Sequence, residues 1–333
     1  MSKKNLLSKM LYGNNFIENI MSKRQQNNIH ILAYHRIVDD LSSNYIFNSE
    51  VYSSTLEDFD RQMEYVSKNF NVVNFKQLED SLSNDTVENN TLVVTFDDGY
   101  YDNYSLAMPV LNKYGISATI FLATDYIDSG ELFWFDAVAG FINTFEEDLL
   151  KLSSINLTFD LTKKSRTNVF KTIGSILKNS DDSVRVSLMD EIYNKYNYSV
   201  IDEDYEKAKP LSWDNVIEMS QNNIEFGAHS KSHCFLSRIS SNQLSSEINE
   251  SKLKIEKMIG IPVNSFCYPA GDTNQKIMDT VKSSNIFFGV GYKHGLNKKT
   301  DIIQYNLNRE HVELDVSLEL FKANLTMPEV FVR

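Results

Sequence analysis

The chain has 333 residues, 42% of them hydrophobic, including 20 Phe and 17 Tyr. That is enough for one large domain or two ordinary ones without a disulfide or a structural metal. A net charge of -12, from 45 acidic and 33 basic residues, excludes nucleic acid as the main partner, because phosphate binding needs a concentrated positive surface. The two cysteines, Cys234 and Cys267, make neither a disulfide scaffold nor a CxxC pair, and no apolar stretch approaches the roughly 20 residues that span a bilayer.

Residues 1–28 read as an irregular or weakly helical lead-in. Lys3, Lys4, Lys9, Lys23 and Arg24 make it locally basic, which suits either a solvated end or peripheral contact with an anionic membrane. The apolar core and small-residue cleavage site of an export signal are missing, so a cytoplasmic location is expected. His30 to His35 reads as a short strand. Thr55 caps a helix over 55–69, where Leu56, Phe59, Met63 and Val66 recur at helical spacing. A short extended piece and a short helix near 76–86 follow. Thr91–Phe96 is the clearest strand, and its continuous apolar centre predicts cover on both faces. A helix over about 102–114, stopped by Gly115, and a strand over 118–122 complete a βαβ unit.

Residues 131–209 interrupt this rhythm with more charge and more Asn and Ser. Helical pieces are expected near 134–144, 163–178 and 183–196, as an insertion walling a substrate cleft. Regularity returns with a helix from Ser212, a strand over 224–228, and a long helix through Leu244, Ile248, Ile255 and Ile259, stopped by Gly260. Strands over 263–268 and 287–290 flank a helix near 274–283. The alternation predicts a parallel α/β barrel-like domain over residues 29–333, interrupted by the insertion.

Three polar clusters fall at predicted strand ends, where such folds place their chemistry. Asp97-Asp98-Gly99 follows the clearest strand. Alone it reads as an ordinary turn, but adjacent carboxylates repel unless a cation or a proton divides their work, and successive residues point apart. His229 and His233 lie four residues apart after another strand, in a chain with six histidines. With Asp98 they offer two nitrogens and one oxygen, leaving a coordination position open for water. That set suits Zn²⁺, and also Co²⁺, Ni²⁺ or Fe²⁺. Tyr268, Pro269 and Gly271 form a fixed turn near the cleft, with the Tyr268 amide a candidate oxyanion donor.

These clusters resemble the motifs of the polysaccharide deacetylase family, the carbohydrate esterases with a NodB-like domain. Thr95 to Gly99 matches its Thr-Phe-Asp-Asp-Gly motif, and His229, Ser230 and His233 match its His-Ser/Thr-x-x-His motif. The resemblance implies a distorted (β/α)7 barrel, with Asp97 as catalytic base and Asp98, His229 and His233 as metal ligands. The third motif, Arg-x-Pro-Phe/Tyr-Gly, departs: Cys267 stands at the Arg position and Ala270 at the aromatic one. The arginine that would hold the base is therefore missing. This form of the motif, Ala33-Tyr34-His35-Arg36 and Leu132-Phe133-Trp134-Phe135-Asp136 are similar to the branch acting on bacterial exopolysaccharides and lipopolysaccharides. No clean late Leu-x-His motif is present. His311, His294 and His35 are the candidate general acids.

The expected reaction is metal-dependent removal of an N-acetyl group from a sugar, releasing acetate, with Phe133, Trp134 and Phe135 either a sugar platform or core. A cytoplasmic enzyme would meet a nucleotide- or lipid-linked precursor. An O-acetyl sugar esterase using the same site, and a carbohydrate-binding protein with a decayed site, stay open. The oligomeric state cannot be read.

Overall fold

The computed structural model describes residues 28–39 and 46–327, together with Ser8. The basic residues of the expected lead-in lie outside the described residues. In chain order the strands are β1 (Asn28–Tyr34), β2 (Arg36–Val38), β3 (Tyr52–Thr55), β4 (Asn71–Val72), β5 (Thr91–Phe96), β6 (Ala118–Leu122), β7 (Leu149–Leu152), β8 (Leu157–Asp160), β9 (Ile224–Ala228), β10 (Ser265–Cys267), β11 (Phe288–Val290), β12 (Asn297–Lys298) and β13 (Glu310–His311).

The main sheet runs β11-β10-β9-β6-β5-β1-β12, with β4 added beside β5 and β13 beside β1. All its pairings are parallel except that of β12 with β1. The sheet curls into an α/β half-barrel. Every residue of β5 is buried, and side-chain alternation divides them between two cores. Leu92, Val94 and Phe96 pack outward under the helices. Val93 points inward with Ile29, Ile31, Phe121, Phe288 and Val290. Continuous apolarity was thus the signature of a strand covered on both faces.

Caps explain where the helices begin and stop. In α1 (Leu56–Asn69), Thr55 Oγ1 accepts from Asp58 N at 3.1 Å. Asn74 closes a capping box on α2 (Phe75–Ser83), whose Phe75 and Leu78 join the inner core. The helix expected over 102–114 begins as a π-helical turn, Asn103–Ala107, before α3 (Met108–Tyr114). Pro109 cannot donate the N–H that a continuous α-helix would take from it. Gly115 ends α3 in left-handed backbone.

Within 131–209 the chain forms α4 (Trp134–Thr144), the β7–β8 hairpin, α5 (Arg166–Lys178) and α6 (Asp182–Asp190) around an apolar cluster of their own. The hairpin was not anticipated, since each strand is four residues long and only Leu150, Leu152 and Phe159 turn inward. Phe133, Trp134 and Phe135 are buried in this cluster, which decides for core over sugar platform. The regular pattern resumes with α7 (Trp213–Ser220), α8 (Ser241–Ile259) and α9 (Gln275–Ser283). Ser212 and Ser240 close capping boxes on α7 and α8. Among the described residues no helix is long and apolar enough to cross a membrane.

Candidate active site

The register aligns the strand ends, pairing Tyr34 with Phe96, Leu122 with Ala228 and Cys267 with Val290. The residues that follow, among them His35, Asp97, His229 and Tyr268, therefore share one rim. At the end of β5 the chain enters left-handed backbone, with φ of 74° at Asp98 and 82° at Gly99. A Cβ on Gly99 would lie 2.6 Å from Leu122 Cδ2, so the turn that splays the two aspartates requires glycine.

Asp98 is buried, with Oδ1 3.4 Å from His229 Nε2 and 3.2 Å from His233 Nε2. His229 Nδ1 lies 2.7 Å from Cys267 O, so Nδ1 carries the proton and the Nε2 lone pair faces Asp98. The intervening loop is held at both ends. Ser230 Oγ accepts from His233 N at 3.1 Å. Glu247 of α8 accepts from Lys231 N at 2.7 Å, Ser232 N at 3.0 Å and Ser232 Oγ at 2.9 Å. Burial opposes ionisation of Asp98, but its contacts with His229 and His233 outweigh this and hold the carboxyl well below the usual range. Its Oδ1 finds no well-aligned hydrogen-bond donor among the described residues. An orphaned buried carboxylate oxygen facing two imidazole nitrogens fits a divalent cation.

Asp97, Cys267 and His229 also bring ligand atoms within 4.8 Å of one another. A guanidinium already occupies that side. Arg309 Nη1 and Nη2 donate to Asp97 Oδ1 and Oδ2 at 2.7 and 2.8 Å, and Nη2 lies 3.2 Å from Cys267 Sγ. A second cation there would meet like-charge repulsion, so Asp98, His229 and His233 are the better seat. Arg309 is itself buried and fixed, its Nε donating to Gly291 O at 2.9 Å. Burial would raise the Asp97 pKa, but the Arg309 charge and hydrogen bonds overcome it and keep the carboxyl ionised.

The polysaccharide deacetylase family model matches residues 84–288 of this chain, more than half its length. The chain belongs to the polysaccharide deacetylase family. It is 23% identical over 232 residues to YxkH of Bacillus subtilis (strain 168), a protein named after polysaccharide deacetylases, and the match takes in 70% of this chain and 55% of that one. The chain thus spans about half the length of this curated relative. Among solved structures, the Streptococcus pyogenes deacetylase PplD in complex with acetate superposes with a TM-score of 0.62 at 18% identity, covering 90% of this chain and 98% of that one. IcaB from Ammonifex degensii gives 0.56 at 15% identity, covering 92% and 97%. At these identities the superpositions establish a shared fold.

Against the family pattern, Arg309 is the residue that sequence reasoning missed. Its guanidinium lies against the Cys267 side chain, Nη2 3.2 Å from Sγ, and reaches Asp97 from the segment leading into β13. The departure at Cys267 was itself the available signal, since a buried base needs a cation from somewhere. Of the three candidate acids, His35 faces the cleft. Its side chain is 23% exposed, and Nε2 lies 3.7 Å from Asp97 Oδ2. His311 is buried against Tyr292, and desolvation, then the Arg309 charge, lowers its pKa to about 2. His294 lies farther out, with Nδ1 3.8 Å from Glu310 Oε2. Tyr268 is not free to act as expected. Its amide donates to Val290 O at 3.2 Å and its hydroxyl to Tyr305 O at 2.8 Å, so sheet pairing consumes the amide named as oxyanion donor. Pro269 and Gly271 turn the chain, leaving Ala270 exposed in left-handed backbone.

Proposed function

We propose that this deacetylase hydrolyses the N-acetyl group of a sugar in a bacterial surface glycan or its precursor, with a divalent cation held by Asp98, His229 and His233. The observation that carries this reading is the division of labour between adjacent aspartates. Asp98 faces two imidazole nitrogens, while Asp97 is clamped by Arg309 and turned toward His35. Two nitrogens and one oxygen suit Zn²⁺, with Co²⁺, Ni²⁺ and Fe²⁺ as alternatives. The bound cation supplies Lewis-acid polarisation of the acetamide carbonyl.

The chain's own residues carry the protons. Asp97 accepts one from the attacking water as the water oxygen bonds to the carbonyl carbon. The N–H assigned to the developing oxyanion is that of Ala270, exposed on the turn after β10. Expulsion of the amine breaks the C–N bond and requires a proton. His35 is the donor best supported, because it reaches both solvent and Asp97. His311 holds no second proton at neutral pH. The products are acetate and an amino sugar.

The test is acetate release from N-acetylhexosamine oligomers and from nucleotide- and lipid-linked N-acetyl sugars, with the metal stripped and restored. Asp97→Asn is expected to lower the rate about 10³-fold while metal still binds. His233→Ala is expected to lose the metal. Release only from O-acetyl sugars would change the reaction to ester hydrolysis. Metal and glycan binding without release from any substrate would favour the decayed-site reading.

A further inference from the structure

Beside Asp97 the cleft opens into a cavity of about 390 Å³, lined in part by His35, Tyr292, His311, Glu50, Glu313 and Asp315. We propose that this cavity is a second sugar subsite, which prefers a neighbouring amino sugar whose amine is already free and protonated. The inference rests on the deacetylase reading above and adds to it the state of the adjoining sugar.

Tyr292 is the platform. It is 54% exposed, unlike Phe133, Trp134 and Phe135. His311 covers it at a ring-centroid distance of 4.0 Å, and its Cβ seats against Gly271, where any side chain would collide. The ring is therefore held in one orientation while much of it meets solvent. An aromatic ring with an apolar body and a polar tip suits the CH-rich face of a pyranose. His311 lines the same cavity, and its buried Nε2 has no hydrogen-bond partner among the described residues. A neutral imidazole nitrogen in that position is expected to be met by a ligand hydroxyl.

The walls add charge of one sign. Glu50, Glu313 and Asp315 are exposed around the cavity. Lys171 approaches Glu50 at 3.3 Å, but no described cation pairs with the Glu313 or Asp315 side chain. The buried Arg309 is committed to Asp97. A cationic amine is thus favoured over a neutral acetamide, by the modest amount that exposed charge pairs give. The preceding turnover on the same chain would create that cation, so deacetylation would proceed in runs.

The test compares hexasaccharides of N-acetylglucosamine, β-1,4- and β-1,6-linked, either fully acetylated or with two residues deacetylated. Acetate release is measured at pH 6.5 in low and high salt. Binding of the same oligomers to the Asp97→Asn variant is followed by calorimetry. The native protein is expected to favour the partly deacetylated oligomer about three- to ten-fold in kcat/KM at low salt and in affinity. The ratio should fall toward one at 0.5 M salt and in E313Q/D315N. Tyr292→Ala should raise KM more than it lowers kcat. Equal rates on both oligomers, or a preference that survives in E313Q/D315N, would overturn the subsite. Absence of acetate from every oligomer would sink the deacetylase reading, and the calorimetric ratio would still decide the subsite.

Discussion

Asp97 and Asp98 are neighbours in sequence, yet their surroundings are assembled in different ways. Asp98 meets ligands from one five-residue motif, His229 to His233, and the loop between them is pinned by Glu247 two turns into the next helix. Asp97 meets Arg309, Cys267 and His35, which come from three separate strand ends. The side of the proposed metal needs only two segments, Asp98 and the short motif from His229 to His233. The side of the proposed base is assembled from three segments, with its guanidinium supplied 212 positions from Asp97.

The sharpest way to break this contrast is at Arg309. Arg309→Ala leaves a buried carboxylate without its cation, and is expected to cost about 3–5 kcal/mol of stability in urea unfolding and about 10²-fold in kcat. Metal affinity should change little. If the arginine has been relocated, Cys267→Arg in the Arg309→Ala background should recover part of both losses. Failure of that double variant to recover either would mean that Arg309 does more than fill the vacated position.

Strand β1 supplies a control, since its two ends carry histidines of opposite kinds. His35 lies at the rim, whereas His30 is buried edge-on to Phe70, with no hydrogen-bond partner for either ring nitrogen. Desolvation lowers the His30 pKa from 6.5 to about 4. The unfolded chain therefore binds a proton that the folded chain refuses between pH 6.5 and 4. Stability from this group is intact above pH 6.5 and falls as pH drops to about 4, by about 2–3 kcal/mol. His30→Phe should remove that part of the slope in denaturant titrations, leaving turnover at neutral pH unchanged.

The smallest effect is expected on the metal side. Glu247→Ala should weaken metal affinity about ten-fold in a chelator competition, by freeing the loop that aims His229 and His233. Glu247→Gln, which keeps one acceptor for the two loop amides, should restore most of it. An unchanged affinity in Glu247→Ala would mean that Ser230 and the neighbouring backbone hold the loop alone.

Local signals in the chain announced much of this. Thr55 and Ser212 cap the helices that follow them, as expected, because a cap is a hydrogen bond between residues three apart. Thr91–Phe96 declared its place in the sheet through uninterrupted apolarity. The β7–β8 hairpin was hidden, since four-residue strands barely show a period. The fate of the Tyr268 amide was hidden as well, because its acceptor, Val290 O, belongs to a strand more than twenty residues on.

By itself, then, the sequence determined the alternation of strands and helices and the family, and it marked Asp97, Asp98, His229 and His233 as candidates, all of which rest on short-range order. Only the tertiary structure decided that Arg309 clamps Asp97, that His35 lies beside Asp97 while His311 packs against Tyr292, that Phe133 to Phe135 are core, and that Tyr292 stands exposed beside three carboxylates. Each of these depends on which strand ends meet at one rim and on how much water reaches them. Pairing across 170 to 212 positions, as between Asp97 and Cys267 or Arg309, leaves no trace in any local window.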